Sequence, residues 1–306
     1  MSGVFTGFAT IAVVIGLGAL LAHLHFLDLG AQYLLSRLAF FVASPALMVG
    51  TIARADVQTV LSHNLLASLA GVLVAVLAYV VPARLLWHRG KGDTTIGALS
   101  SAYVNAGNLG IPVASYVLGD AAYVAPTLLL QLLVLQPIAL AVLDADAHHG
   151  RLRLRQLALR PFRNPLTVGS LIGLLLALTG WRLPAFVDDP VTLVGDMAVP
   201  MMLIAYGIAL RLGPGLGAAG SPAELVTTSA LKLAVQPLTA FAVASLLGVN
   251  GHALLAIVVT SALPTAQNIF VHATRYDRAT TLARDTILIT TIGSVPVILT
   301  AAWLLG

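Results

Sequence analysis

The sequence predicts an all-α integral membrane protein with ten transmembrane helices, arranged as two inverted five-helix repeats with interrupted helices four and nine. Three observations lead there: a composition too poor in charge for a water-facing surface, prolines that recur at one offset in the two halves, and two apolar segments broken at matching places. Of the 306 residues, 58% are hydrophobic and 9% charged, and the mean hydropathy is +0.95. Soluble domains carry roughly 25% charged residues. Lipid must therefore solvate most of this chain, which excludes a large soluble enzyme. The absence of cysteine excludes disulfides and thiolate metal sites.

About 20 apolar residues span a bilayer core. On that ruler the spans fall at 4–23, 34–53, 64–86, 94–118, 121–143, 164–181, 190–211, 222–248, 252–274 and 281–304. The first span has no Lys or Arg ahead of it, since Arg37 is the first basic residue, and its apolar run is too long for a cleaved signal peptide. It is expected to be retained. The loops then sort by charge. Odd-numbered loops and flanks hold Arg37; Arg84, Arg89 and Lys91; Arg151, Arg153, Arg155, Arg160 and Arg163; Arg211; and Arg275, Arg278 and Arg284, thirteen cations in all. Even-numbered loops hold two, Arg54 and Arg182. The positive-inside rule places the odd loops in the cytoplasm and both termini outside.

That placement disposes of nucleic acid as a partner, despite a net charge of +4 and a pI near 9.7. The five arginines of the 144–163 loop, DADAHHGRLRLRQLALRPFR, read as a cytoplasmic topology anchor. His148 and His149 beside Asp144 and Asp146 have the chemistry of a metal site, but a hydrophilic loop is the simpler reading, and no metal or cofactor is expected.

Proline inside a helix costs about 3 kcal/mol, so its positions carry information. Pro45 pairs with Pro200 and Pro82 with Pro237 at an offset of 155, Pro112 with Pro264 at 152, and Pro137 with Pro296 at 159. Each pair falls in corresponding helices of two five-helix halves. Five is odd, so the second half enters the membrane upside down. Inverted repeats of this kind build secondary transporters, with the site near the midplane on interrupted helices.

Helix four is interrupted at Asn105-Ala-Gly-Asn-Leu-Gly-Ile-Pro112, and helix nine at Ser261-Ala-Leu-Pro-Thr-Ala-Gln-Asn268. Backbone freed by such breaks is tolerated only where protein or a water-filled cavity satisfies it. Glycines permit shapes a helix forbids, and proline suits the first turn of a helix that restarts. The half-helix after Pro112 runs outward and that after Pro264 runs inward. Their N-termini, each carrying roughly half a positive charge, are expected to meet near the midplane, together matching one carboxylate. The substrate-binding candidates are Asn105, Asn108, Gly110, Pro112, Gln131, Pro264, Thr265, Gln267 and Asn268.

At these residues the sequence resembles the auxin efflux carrier family, which includes the plant PIN carriers and bacterial malate and malonate permeases. The similarity lies in NAGNLGIP, in LPTAQNIFVHATRYD, in the run Gln131-Leu-Leu-Val-Leu-Gln136 and in FVASPAL around Pro45. The resemblance implies a ten-helix fold shared with bile-acid symporters and sodium/proton antiporters, with helices four and nine crossing. It also implies a scaffold (1–55 and 164–212), a transport domain (56–143 and 213–306) and the cytoplasmic loop 144–163 between halves. It assigns Asn105 to the substrate carboxylate and Gln131 to its surroundings. It further implies a homodimer through the scaffold helices, in the inner (plasma) membrane of a bacterium.

Other intramembrane polar residues are few. Lys232, the one lysine within a span, is a candidate charge partner for a carboxylate or a snorkelling residue. His272 is the candidate for proton coupling. Asp196, Glu224 and Asp285 read as terminal or interfacial charges. H+ coupling, Na+ coupling and potential-driven uniport stay open at this point. The expected function is alternating-access movement of a small organic anion, such as malate, malonate or an auxin-like acid. The competing readings are a sodium-coupled symporter of larger amphipathic anions and a receptor that binds without translocating. An intramembrane enzyme is a third, but no span carries a nucleophile–base pair or an HExxH-type ligand set.

Overall fold

The computed structural model describes residues 2–54, 63–110, 113–119, 121–147, 165–213 and 221–306. Pro112, His148 and His149, which the sequence singles out, lie outside them, as does the side chain of Asn108. The described residues are helical almost throughout. In chain order the α-helices are α1 (Ser2–His23), α2 (Leu29–Leu38), α3 (Ser44–Ala53), α4 (His63–Leu85), α5 (Lys91–Ala102), α6 (Ala125–Leu130), α7 (Gln136–Ala147) and α8 (Pro165–Thr179). They continue with α9 (Ala185–Asp196), α10 (Ala198–Leu212), α11 (Pro222–Ala230), α12 (Gln236–Leu246), α13 (Gly251–Ser261), α14 (Asn268–Tyr276) and α15 (Thr280–Leu305). Among the described residues five stretches are long and apolar enough to cross a membrane: Leu29–Ala53, His63–Leu85, Ala185–Leu212, Pro222–Leu246 and Thr280–Leu305.

Three helical runs contain a π-helical turn just ahead of a proline: Ala39–Ala43 before Pro45, Gln131–Leu135 before Pro137, and Leu231–Val235 before Pro237. In each, the residue preceding the proline donates its N–H five residues back: Ser44 to Ala39, Gln136 to Gln131, and Gln236 to Leu231. Proline has no N–H and its ring presses on the carbonyl four residues back. Widening the turn upstream lets the helix continue through it. π-turns of this kind are frequent at functional sites. Their counterparts at the shared offset behave differently, since Pro82 and Pro296 sit inside continuous α-helices and Pro200 lies in the first turn of α10.

The chain divides into two compact units. One comprises Phe5–Gln58 and Leu154–Pro214. Its helices close on one another through glycine. A Cβ on Gly173 of α8 would lie 3.0 Å from the Met48 and Val49 carbonyl oxygens of α3, and one on Gly195 of α9 would lie 2.8 Å from the Leu47 amide. Gly169 meets the Pro45 backbone in the same way, and Gly18 and Gly207 bring α1 and α10 together. Small residues spaced four apart let apolar helices pack backbone to backbone where water supplies no driving force.

The other unit comprises Thr59–Arg153 and Gly215–Gly306 with Met1–Val4. Its described helices are α4 to α7 and α11 to α15. One local expectation changes here. The sequence ends helix five at residue 143, but α7 continues to Ala147. Tertiary contacts extend it: Asp144 accepts from the Tyr276 hydroxyl (2.7 Å) and Asp146 pairs with Arg278 (2.9 Å). These bonds also engage the two carboxylates considered for a metal. The span 252–274 is interrupted where the sequence expects it, as two helices, α13 and α14, with Ala262–Gln267 between them.

Candidate functional site

Both interruptions belong to this second unit, and they bond to each other. Helix α5 ends at Ala102, and the next residues are extended; Tyr103 has φ −87° and ψ 104°. Val104 and Thr265 form an antiparallel bridge. The Asn105 amide donates to the Pro264 carbonyl (2.8 Å) and the Ala266 amide to the Tyr103 carbonyl (3.0 Å). Two buried stretches that lack intrahelical partners thus satisfy one another, as they must away from water.

Side chains complete the pairing. Thr265 donates its hydroxyl to the Ser100 carbonyl (2.5 Å), and its amide donates to the Thr290 hydroxyl (3.1 Å). Thr290 in turn donates to the Thr286 carbonyl one turn earlier in α15 (2.7 Å). Lys232, fully buried in the π-turn between α11 and α12, donates from Nζ to the Ser261 carbonyl (2.8 Å) and to Gln236 Oε1 (2.6 Å). Gln236 Nε2 donates to the Ala102 carbonyl (3.0 Å). Ser261 and Ala102 are the last residues of α13 and α5. Lys232 and Gln236 therefore cap both helices that run into the interruptions, where the backbone dipoles leave negative carbonyl ends. Lys232 does not snorkel: its Nζ is held between the Ser261 carbonyl and Gln236 Oε1.

The same unit buries several amides and one imidazole. Asn105, Gln131, Gln136, Gln267 and His272 are all buried. The Tyr103 hydroxyl donates to Gln136 Oε1 (3.0 Å), and the Asn268 side chain also bonds that hydroxyl. Gln131 and Gln136 share one face because the Gln131–Leu135 segment is wound as a π-turn. Among the described residues Gln131 Oε1, Gln136 Nε2 and Asn268 Oδ1 are buried without a hydrogen-bond partner. A buried unsatisfied polar atom costs about 1–3 kcal/mol, and those of Gln136 and Asn268, both bonded to Tyr103 of the pairing, mark a place where a polar ligand would be rewarded. Gly110 keeps the first interruption close to the second, since a Cβ there would come within 2.9 Å of Leu263 Cδ1 and 3.0 Å of Val124 Cγ1.

A family model described as "Membrane transport protein" matches residues 143–302. The chain belongs to this auxin efflux carrier family of membrane transport proteins. A "Putative malonate transporter" of Rhizobium meliloti (strain 1021) is 25% identical over 262 residues, covering 83% of this chain and 81% of that protein. "Auxin efflux carrier component 3a" of Oryza sativa subsp. japonica is 28% identical over 148 residues, and "Auxin efflux carrier component 7" of Arabidopsis thaliana is 29% identical over 152 residues. Each plant match covers 47% of this chain and 24% of the carrier, so the likeness spans about a quarter of the plant proteins. Proteins of this family are transporters, not enzymes.

Within this transporter the pairing unites Asn105, Gly110, Pro264 and Thr265, with Lys232 as a cap rather than a bare charge. Two residues at the pairing escaped sequence reasoning, Tyr103 and Gln136. Gln136 shares the QLLVLQ run with Gln131, but a five-residue spacing puts two side chains together only if the turn is π-wound. Gln236, also missed, is four residues after Lys232, the ordinary helical spacing for two side chains that act together. Glu224 stands in the first turn of α11 and Asp285 in the second turn of α15, as their helix-terminal reading has it, and both are buried in ion pairs. Asp285 is buried against Arg284 (2.8 Å from Nε), and Glu224 is buried against Arg89 (2.7 Å from Nε). Asp196 is exposed at the end of α9.

Proposed function

We propose that this transporter moves a small organic anion, a carboxylate of the malate, malonate or auxin-like class, by alternating access, and that it binds the anion where the two interruptions pair. The observation that carries the reading is the mutual backbone bonding of Tyr103–Asn105 with Pro264–Ala266, beside Gln136 and Asn268, which both bond the Tyr103 hydroxyl and each keep one further buried amide atom for a ligand. Capping by Lys232 and Gln236 neutralises the carbonyl ends of α5 and α13. What remains facing a ligand is the amide end of the segments that follow, which favours an anion. Amides without a second full cation bind a carboxylate moderately, and a transported anion must leave.

In this reading the chain has ten membrane spans in two inverted halves. The unit containing α4–α7 and α11–α15 is the moving transport domain and the other the scaffold, through which two copies pair. The odd-numbered loops lie in the cytoplasm, both termini lie outside, and the protein resides in the inner membrane. The malonate named for the Rhizobium relative and the auxin named for the plant carriers define the first substrates to try.

The test is uptake of labelled malonate, malate and indole-3-acetate into proteoliposomes, at several pH values, with and without sodium. Asn105→Ala is expected to abolish most uptake while keeping the elution profile and melting temperature of the parent. Undiminished uptake by that variant overturns the site. Dependence on sodium or on a pH gradient identifies the coupling ion, and its absence identifies uniport.

A further inference from the structure

A second candidate site lies on the flank of the transport unit, away from the paired interruptions. A groove of about 400 Å³ runs between α4, α5 and α7, lined by Val76, Val80, Ala98, Leu99, Leu135, Ile138, Ala139 and Val142 along its length. At the end where α4 finishes and α5 begins, the lining changes to Arg84, Lys91, Thr94 and Thr95. The groove is thus amphipathic, apolar along its body and cationic at one mouth. It is open to the outside of the unit, where Ile138 of its lining is 59% exposed.

The basic residues at this end of the unit fall into two classes. Arg89 is bonded to Glu224 through both Nε and Nη2, and Arg278 is paired with Asp146. Arg84 and Lys91 have no carboxylate partner among the described residues, and they are the two that line the groove. No Asp or Glu lines it. The nearest carboxylate in sequence, Asp93, accepts from the Ala279 amide (2.9 Å). Arg84 is itself oriented by a bond from Nη1 to the Arg89 carbonyl (2.7 Å), which leaves its remaining N–H groups for another acceptor. A topology anchor needs charge but no groove, and a lipid-facing groove needs no charge. This place has both.

We propose that the groove holds an anionic phospholipid from the surrounding bilayer. Its phosphate lies between Arg84 and Lys91, and one acyl chain lies along Val80, Val76, Leu135 and Ile138. Basic pockets between membrane helices attract acidic headgroups in this way, each Lys or Arg near the surface contributing about 1 kcal/mol. The inner end of the groove reaches Leu99 and Leu135, which pack in one apolar cluster with Tyr103. The lipid therefore braces the helices that deliver Tyr103 and Gln136 to the pairing. The inference rests on the membrane reading of the family but not on the substrate site.

The test is native mass spectrometry and thermal unfolding of the purified chain in detergent. Phosphatidylglycerol is compared with phosphatidylcholine of the same acyl chains and with inorganic phosphate. Phosphatidylglycerol is expected to stay bound as one to two copies per chain and to raise the melting temperature, while phosphatidylcholine and phosphate do neither. Arg84→Gln with Lys91→Gln is expected to weaken phosphatidylglycerol binding at least about tenfold. Val142→Trp, which fills the groove and keeps both charges, is expected to lose the bound lipid as well. Equal stabilisation by phosphatidylcholine, reproduction of the effect by free phosphate, or full retention of phosphatidylglycerol by either variant overturns the proposal. Because the readout is lipid binding, it stands or falls independently of whether Asn105→Ala transports.

Discussion

The two interruptions occupy matching places in the two halves of the chain, yet they are built differently. After Asn105 the chain continues as a π-turn, Ala106–Gly110, with the Leu109 and Gly110 amides both donating to the Asn105 carbonyl (3.2 and 2.8 Å). After Ala266 it resumes within two residues as the regular helix α14. The first break is made by permissive backbone, two glycines and a wide turn. The second has no glycine and is fastened by side chains, with Thr265 bonded to Ser100 and Thr290, and Ser261 capped by Lys232. Three of the proline pairs are also unlike within the pair: one member follows a π-turn and the other sits in regular α-helix. Matching places in the sequence of the two halves are where the backbone is interrupted. Each half then solves the hydrogen-bond problem with its own residues.

If that contrast is right, the second break should be the more sensitive to loss of side chains. Lys232→Met leaves the Ser261 carbonyl and Gln236 Oε1 without their donor in a dry interior, and is expected to cost about 3 kcal/mol or more. Thermal unfolding in detergent reads this, and an unchanged melting temperature removes the cap from the account. Gly110→Leu attacks the first break through space rather than bonding. The new side chain meets Leu263 and Val124, with an expected loss of about 1–3 kcal/mol. A neutral result means the first break is looser than its packing indicates. Thr265→Val removes the hydroxyl that serves Ser100, at about 1–2 kcal/mol. Gln136→Leu should be the mildest, at about 1 kcal/mol, because it takes one acceptor from the Tyr103 hydroxyl but also removes an Nε2 that has no partner. That variant should nonetheless weaken carboxylate binding, and full-strength binding would take Gln136 out of the site.

The breaks themselves were legible, because asparagine, glycine and proline rarely cluster in an apolar run except where a helix has to stop. Their bonding to each other was not, since the bonds run between backbone groups and carry no residue signature. Lys232 stood out as the lone intramembrane lysine, but sequence offered only a ligand partner or a snorkel. Its real neighbours, Ser261 and Gln236, come together through tertiary packing across a π-turn. The end of helix five was hidden for a similar reason. Asp144 and Asp146 look like loop residues until Tyr276 and Arg278, more than a hundred residues away, hold them in α7. Gln136 and Tyr103 show the same limit at the site, because their contact depends on a turn that departs from 3.6 residues.

The central claim is that the paired interruptions form a carboxylate site, and ligand-linked stabilisation tests it most directly. Purified parent protein and Asn105→Ala are titrated with malonate, malate and indole-3-acetate while thermal unfolding is followed. A ligand that binds only the folded state raises stability with its concentration. The account predicts a concentration-dependent rise in melting temperature for at least one of these anions in the parent, and none in Asn105→Ala. A rise of equal size in both proteins would contradict it.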